Sequence, residues 1–441
     1  MSKNTAVRVS ILTIFLSASI FSCALYAKSA LFPICGAAVF ILLNIFPSFI
    51  KRPSKKLRIS SDGADLLTSF LALVCIECIA FPICASLVIG WFTAPFLTDL
   101  AIIVVADLIL FWNGIIRVYL TSDIIGVKWR VAGILCGLIP IAHLFVLIKI
   151  IGLVRFDVGA EEERKKRNDE RKERSVCQTK YPLLLVHGVF FRDTRYLNYW
   201  GRIPKELEKN GATIFYGDQQ SALGIADSAA EIAEKVKRIT EQTGCEKVNI
   251  IAHSKGGLDC RYAITHLGLD RYVASLTTVN TPHRGCVFAQ HLLSTMPKGV
   301  VGWIAHKYNR LFHTLGDTSP DFLGGVQDLT RETCLAFNAA VPDAPDVFYQ
   351  SVTSTMRKAS SAGFPLNFTW HLVKRYDKEA NDGLVARTSA EWGHFLGCLT
   401  VPGKRGISHG DMIDLMREDV PGFDVREFYI GLVKGLKARG L

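Results

Sequence analysis

Charge is what the first third of this 441-residue chain lacks. Residues 1–154 hold 12 Lys or Arg and 6 Asp or Glu, against 39 and 34 in residues 155–441. A segment so poor in charge is a membrane domain or an unusually apolar core, which sets it apart from an ordinary soluble domain. The chain also lacks paired C-x-x-C motifs. Its 12 cysteines divide evenly about residue 155, and none has a matching Cys or His pair, which argues against a zinc site or a thioredoxin-like motif. Cys75 and Cys78 have the spacing but sit in an apolar run, so all 12 read as free thiols. Internal repeats and low-complexity tracts are missing as well. With 49% hydrophobic and 21% charged residues, disorder and fibrous architecture are excluded too.

What is present in the first third is a set of five apolar stretches, each long enough for a spanning helix: residues 7–27, 31–50, 66–92, 97–119 and 131–154. A cleavable signal in the first is disfavoured by Leu25, which would occupy the −3 position of a cut after Ala27, where a small side chain is needed. Basic residues cluster after the second stretch (Lys51, Arg52, Lys55, Lys56, Arg58) and at and after the end of the fourth (Arg117, Lys128, Arg130). The positive-inside rule makes both clusters cytoplasmic. Five crossings of a plasma membrane then put residue 155 onward outside; the fifth stretch, which Pro140, His143 and Lys149 make the least apolar, would return it to the cytoplasm if re-entrant. Glu77 and Asp107 lie inside the third and fourth stretches, where a carboxylate is costly and reads either as a proton or ion site or as a paired interior group.

Residues 155–180 invert the composition. Acid–base pairs such as Glu161–Lys165 and Glu162–Lys166 recur at four-residue spacing, which predicts a solvated helical linker. Its charges nearly cancel, which argues against a nucleic-acid partner.

From Tyr181 short apolar runs alternate with amphipathic helices. Strands are expected at residues 181–188, 213–216, 247–254 and 273–282, and near 399–403, with helices at 200–210, 225–240 and 257–267. The alternation predicts a mostly parallel sheet covered by helices on both faces. Within it, Ala252-His253-Ser254-Lys255-Gly256-Gly257 places a serine between an apolar strand and a helix, with small residues two before and two after. That spacing suits a sharp turn exposing a nucleophilic hydroxyl above the sheet edge. A neutral serine needs a base, an acid to orient the base, and an oxyanion hole. Asp382, in the turn Asn381–Val385 expected at the C-terminal end of an apolar strand, is the candidate acid. His409, in Gly406–Asp411 beyond the last strand, is the candidate base, with His394 as the alternative. The backbone N–H groups of Val189 and Lys255 are the candidate oxyanion donors, with His187 shaping the first of these turns.

The segments HGVF (187–190), AHSKGG (252–257), TPHRG (281–285), FNAAVP (337–342) and NDGLV (381–385) occur in the order found in bacterial triacylglycerol lipases, which this part of the chain resembles over roughly residues 181–430. The resemblance implies an α/β-hydrolase fold for residues 181–441 with a helical lid at about 286–336; it covers none of residues 1–154, where the apolar stretches alone predict an all-α transmembrane domain. It implies Ser254 as nucleophile, Asp382 as acid and His409 as base, with Val189 and Lys255 as oxyanion donors. The lid carries an apolar component, including Val300, Trp303 and Leu311. In many such lipases a structural calcium is held by two aspartates; Asp411 matches one, but the other belongs some twenty residues before Asp382, and no acid lies between Asp346 and Asp377. Lys255 stands where a neutral residue is common, and its side chain is expected to reach solvent or to favour anionic lipid. The expected activity is ester hydrolysis on a lipid substrate at a membrane, without a cofactor. Acyl transfer or thioester cleavage by the same residues, or a transport or signalling protein with a degenerate hydrolase domain, are the alternatives.

Overall fold

The computed structural model describes residues 7–12, 31–45, 52, 54–122, 124–137, 139–171, 175–189, 199–220, 222–314, 317 and 320–441. The chain divides into two compact units, Met1–Arg167 and Asn168–Leu441.

Among the described residues of the first unit, two helices are long and apolar enough to cross a membrane, Lys55–Ile89 and Ala94–Thr121. Ser54 and Thr93 cap their N-termini by accepting from Leu57 N–H and Phe96 N–H. The two helices cross where Gly63 and Gly114 meet: a Cβ on Gly63 would lie 2.8 Å from the Gly114 carbonyl oxygen. Small residues at a crossing let two backbones approach closely. Ionic groups gather toward one end, with Arg117 near Asp62 (3.9 Å) and Arg155 near Asp65 (3.4 Å). Glu77 and Asp107 approach one another between the same two helices.

The remaining apolar stretches fare differently. Leu31–Ile45 is a helix of 15 residues, short for a full crossing, and residues 46–50 lie outside the described residues. Of the first stretch only residues 7–12 are described, as helix. The fifth is not one helix. The chain breaks between Gly126–Cys136 and Pro140–Arg171, because Pro140 has no N–H to continue the ladder and instead starts the next helix. That helix runs through the expected boundary at Val154 into the charged run and ends at Arg171. The five-crossing count, and the outward placement of the second unit that depended on it, are therefore not carried by these elements.

The second unit is built on a six-stranded sheet in the order β2-β1-β3-β4-β5-β6, every neighbouring pair parallel. The strands are β1 Leu183–Val186, β2 Ile214–Tyr216, β3 Val248–His253, β4 Val273–Val279, β5 Phe348–Ser354 and β6 His394–Leu399. Both faces of β1, β3 and β4 are buried, which is why these strands read as continuous apolar runs. Alternate residues serve opposite layers. Leu184, Val186, Ile250 and Leu276 pack in one core with Ile232 and Val236 of the helix Ile225–Thr243 and Ile264 of Gly256–His266. Leu183, Leu185, Ile251 and Val279 pack on the other face with Leu207 of Ile203–Lys209 and Tyr429 and Val433 of Val425–Ala438. This is the α/β-hydrolase fold. The expected final strand at 399–403 is displaced: β6 ends at Leu399, and Pro402, which lacks an N–H, and Gly403 (φ +89°) follow it in irregular backbone.

Strand order reverses between β1 and β3. In an open parallel sheet the crevice beyond the carboxyl ends at such a reversal is the place a ligand binds. The turns after β1 and β3 are those carrying Gly188–Val189 and Ser254.

Candidate active site

Ser254 follows β3 directly and has φ +55°, a left-handed conformation that costs a non-glycine residue roughly 1–2 kcal/mol. The surroundings hold it there. Its N–H donates to Val279 O in β4 (2.9 Å), and its carbonyl accepts from Thr281 Oγ1 (2.7 Å) and Gly257 N–H (3.1 Å). Close packing explains the small residues nearby. A Cβ on Gly256 would come within 2.4 Å of His187 O, and one on Gly188 within 2.7 Å of Ser254 Cβ. From Val248 to Arg261, Ser254 alone is not buried, so the turn presents one hydroxyl and hides the rest.

Asp382 and His409 come together. His409 Nδ1–H donates to Asp382 Oδ2 at 2.6 Å, and His409 N–H donates to Asp382 O at 2.8 Å. The other carboxylate oxygen, Oδ1, accepts from the N–H groups of Leu384 (2.9 Å) and Val385 (2.7 Å). Asp382 is fully buried and His409 nearly so. Asp382 does not follow a strand as expected; the helix Leu366–Tyr376 precedes it. Its position comes from the extension of β5, where Met356 N–H donates to Asn381 O (2.8 Å) and Ile407 N–H donates to Thr355 O (2.8 Å). One stretch of backbone thus anchors both turns. His394 lies exposed at the start of β6, with its ring against Phe348.

The His409 imidazole lies against the His253 ring, centroids 4.4 Å apart, which sets it beside the residue preceding Ser254. No hydrogen bond joins Ser254 Oγ to His409 among the described residues; such bonds are often long in a free enzyme and tighten in the substrate complex. His253 Nδ1 accepts from the Tyr199 hydroxyl (2.7 Å), which accepts in turn from Gly188 N–H (3.1 Å). Burial and the neighbouring His409 hold the His253 pKa well below the usual imidazole value, so it stays neutral. Sequence reasoning missed Tyr199 and His253, since nothing in their spacing distinguishes them from core aromatics.

Among the described residues, the N–H groups of Val189 and Lys255 donate to no carbonyl, leaving both available to an oxyanion. The His187 ring lies between the carbonyls of Gly188 (2.8 Å) and Gln219 (2.9 Å), which fixes the turn bearing Val189.

The Lys255 side chain corrects an expectation. It reaches neither solvent nor lipid but is 2% exposed, its Nζ bonded to Asp259 Oδ1 (2.6 Å) and Ser228 Oγ (3.1 Å). Asp259 lies one helical turn on, so the charge is met internally. Burial pushes the Asp259 carboxyl up to about 7 against the pull of Lys255. In Lys255→Met that pull is gone and the folded-state pKa rises further. A carboxyl with a raised folded pKa keeps a proton that the unfolded chain has lost, so stability falls as pH climbs through that range. The variant should lose roughly 3–5 kcal/mol at pH 8, as expected when one partner of a buried pair is removed, and less at pH 6. Denaturant midpoints at the two pH values check this, and a deficit that shrinks with rising pH would contradict it.

Asp411 is the residue proposed for calcium, and its surroundings do not fit that ion. Its carboxylate is held by the Arg405 guanidinium at 2.7 and 3.0 Å and by Ser408 N–H at 2.8 Å. No second acid approaches from residues 347–376. Among the described residues no three His, Cys, Asp or Glu side chains cluster to hold a metal ion. All 11 described cysteines are free thiols, Cys23 lying outside the described residues.

The expected lid region carries the helices Val287–Thr295, Lys298–Thr314, Phe322–Gln327 and Arg331–Ala340. In Lys298–Thr314, Phe312 is buried while Val300, Trp303 and Leu311 are exposed, so an apolar face points outward.

Comparison with known proteins agrees with the fold. A family model described as alpha/beta hydrolase fold matches residues 181–376, a range that includes Val189, Ser254 and Lys255 and stops short of Asp382 and His409. The chain is 34% identical over 182 residues to the triacylglycerol lipase of Pseudarthrobacter phenanthrenivorans, covering 38% of this chain and 56% of that one. It is also 34% identical over 182 residues to the triacylglycerol lipase of Burkholderia plantarii, covering 38% and 50%. With triacylglycerol lipase 2 of Saccharomyces cerevisiae the identity is 27% over 272 residues, covering 56% and 77%. The chain thus spans about half the length of the first two relatives. The yeast match extends the resemblance beyond bacteria.

Proposed function

We propose that this chain is a membrane-anchored serine hydrolase of carboxylic esters, with lipid acyl esters as its substrate class. The observation that carries the reading is the buried Asp382–His409 pair at 2.6 Å beside a serine held at positive φ, beyond the carboxyl ends of the sheet where its strand order reverses. Ser254 Oγ attacks the ester carbonyl carbon while His409 Nε2 takes its proton. Asp382 holds the imidazole in the tautomer with Nδ1 protonated and stabilises the imidazolium. The carbonyl oxygen, now an oxyanion, is met by the N–H groups of Val189 and Lys255. His409 then protonates the leaving alcohol, and an acyl-enzyme remains on Ser254. Water, deprotonated by His409, attacks the acyl carbon; the acid leaves and Ser254 is restored. These residues suffice for the chemistry without a cofactor.

The lipase relatives support an acyl-lipid substrate, and the exposed apolar face of Lys298–Thr314 suits one. The two long apolar helices support anchoring. The test uses the full chain in washed membranes and a series of p-nitrophenyl esters and emulsified triacylglycerols. Ester cleavage should stay with the membrane fraction after a carbonate wash. Activity released by the wash removes the anchoring, and no cleavage of any ester removes the function.

A further inference from the structure

We propose that Arg405 and Asp411 are positioning residues for His409, their ion pair serving as a built-in cation bridge in the place where a divalent ion would otherwise hold this loop. The proposal rests on the function proposed above. The two residues flank His409, four before and two after, and the guanidinium meets the carboxylate through two parallel bonds, Nη1 to Oδ2 at 2.7 Å and Nη2 to Oδ1 at 3.0 Å. A fork of this kind fixes orientation as well as distance. Asp411 Oδ2 also accepts from Ser408 N–H (2.8 Å), and Ser408 Oγ accepts from Asp411 N–H (3.2 Å). The turn presenting His409 is thereby closed on itself.

The other end of the bridge is tied down too. Arg405 O accepts from Arg357 N–H (3.1 Å) and from the Ser361 hydroxyl. Gly406 (φ +73°) passes so close to the β5 extension that a Cβ would lie 2.4 Å from Thr355 O. Ser361 stands about twenty residues before Asp382, where the second aspartate of a calcium site belongs. There the chain supplies a hydroxyl to the Arg405 main chain instead of a charge to a metal. Asp411 is 11% exposed and Arg405 29%, so solvent screens the pair only in part.

Removing the bridge leaves the Asp382–His409 contact and the oxyanion donors in place but frees the turn that aims the imidazole at Ser254. Loss of such an orienting partner typically lowers activity about 10–100-fold. The test takes the purified full chain in detergent and follows ester turnover together with the rate at which a fluorophosphonate labels Ser254, a reaction that needs an activated serine but no substrate choice. In Arg405→Ala and Asp411→Asn, kcat and labelling should fall about 10–100-fold with KM unchanged. Arg405→Lys, which keeps the charge but not the fork, should recover part of the loss. The double variant should be no worse than the single ones, because both remove the same bridge. Added ethylguanidinium should restore part of kcat in Arg405→Ala and none in Asp411→Asn. EDTA should leave the wild type unchanged. Arg405→Ala with undiminished kcat and labelling, or a wild type silenced by EDTA and revived by calcium, overturns the bridge while leaving the hydrolase reading intact. A wild type that fluorophosphonate does not label overturns both. Thermal unfolding of each variant separates misfolding from mispositioning: a variant that unfolds at the wild-type temperature yet keeps full labelling counts against the proposal.

Discussion

Ser254→Ala should lower kcat for ester hydrolysis by about 10⁶-fold, to the level left by substrate binding and the oxyanion donors alone. The size of the loss follows from what the turn presents. Between Val248 and Arg261 no other residue has appreciable exposure, so no neighbouring hydroxyl can take over the attack. Alanine fits the site sterically, since it keeps the Cβ already packed against Gly188 and only removes Oγ. The variant should therefore express, fold and sit in the membrane as the wild type does, while fluorophosphonate labelling disappears. Because the left-handed φ disfavours both residues alike, stability should change little. A variant that keeps more than about 1% of wild-type turnover would place the nucleophile elsewhere and withdraw the acyl-enzyme mechanism.

Much of this site is legible in the chain because its parts are local. Strand, serine turn and helix occupy consecutive residues 248–266, and the small residues that permit the turn stand beside the serine itself. Asp382 and His409 are also found by residue type and order. What escapes sequence reasoning is anything set by distant backbone. Asp382 does not follow a strand; it is positioned by Met356 N–H reaching Asn381 O, across a helix and a turn. Lys255 looks like a surface charge until the helix closes and Asp259 comes under it. Arg405 lies in irregular backbone and Asp411 six residues on, at the start of the short 3-10 turn Asp411–Ile413, a spacing with no regular geometry to signal a pair. In the first unit, hydropathy locates Lys55–Ile89 and Ala94–Thr121 because so long an apolar run suits a lipid interior better than an aqueous surface. The same measure registers Pro140 only as a less apolar position within one stretch, and does not show that one helix ends at Cys136 and the next starts at the proline.

Asp382→Asn should cost about 10⁴-fold in kcat with little change in KM. The substitution keeps shape and volume, and one amide arrangement keeps the two backbone donors satisfied: Oδ1 still accepts from Leu384 and Val385 N–H, and the NH₂ group takes the place of Oδ2. That arrangement forces the amide N–H toward His409 Nδ1. The ring must then carry its proton on Nε2, the atom that has to accept from Ser254, so the base is present in the wrong tautomer. The opposite amide flip restores the tautomer but aims an NH₂ group at two backbone donors that cannot accept it. In a fully buried pocket that leaves unpaired polar groups, at about 1–3 kcal/mol each. Either way the loss falls on proton transfer and not on substrate binding, which is why kcat and not KM should respond. A strongly alkaline medium supplies hydroxide to do what the imidazole no longer can, so the deficit should narrow as pH rises above about 10. Measuring kcat from pH 6 to pH 11 checks this. A deficit below about tenfold at neutral pH would mean that the 2.6 Å contact between Asp382 and His409 holds the loops together without tuning the base.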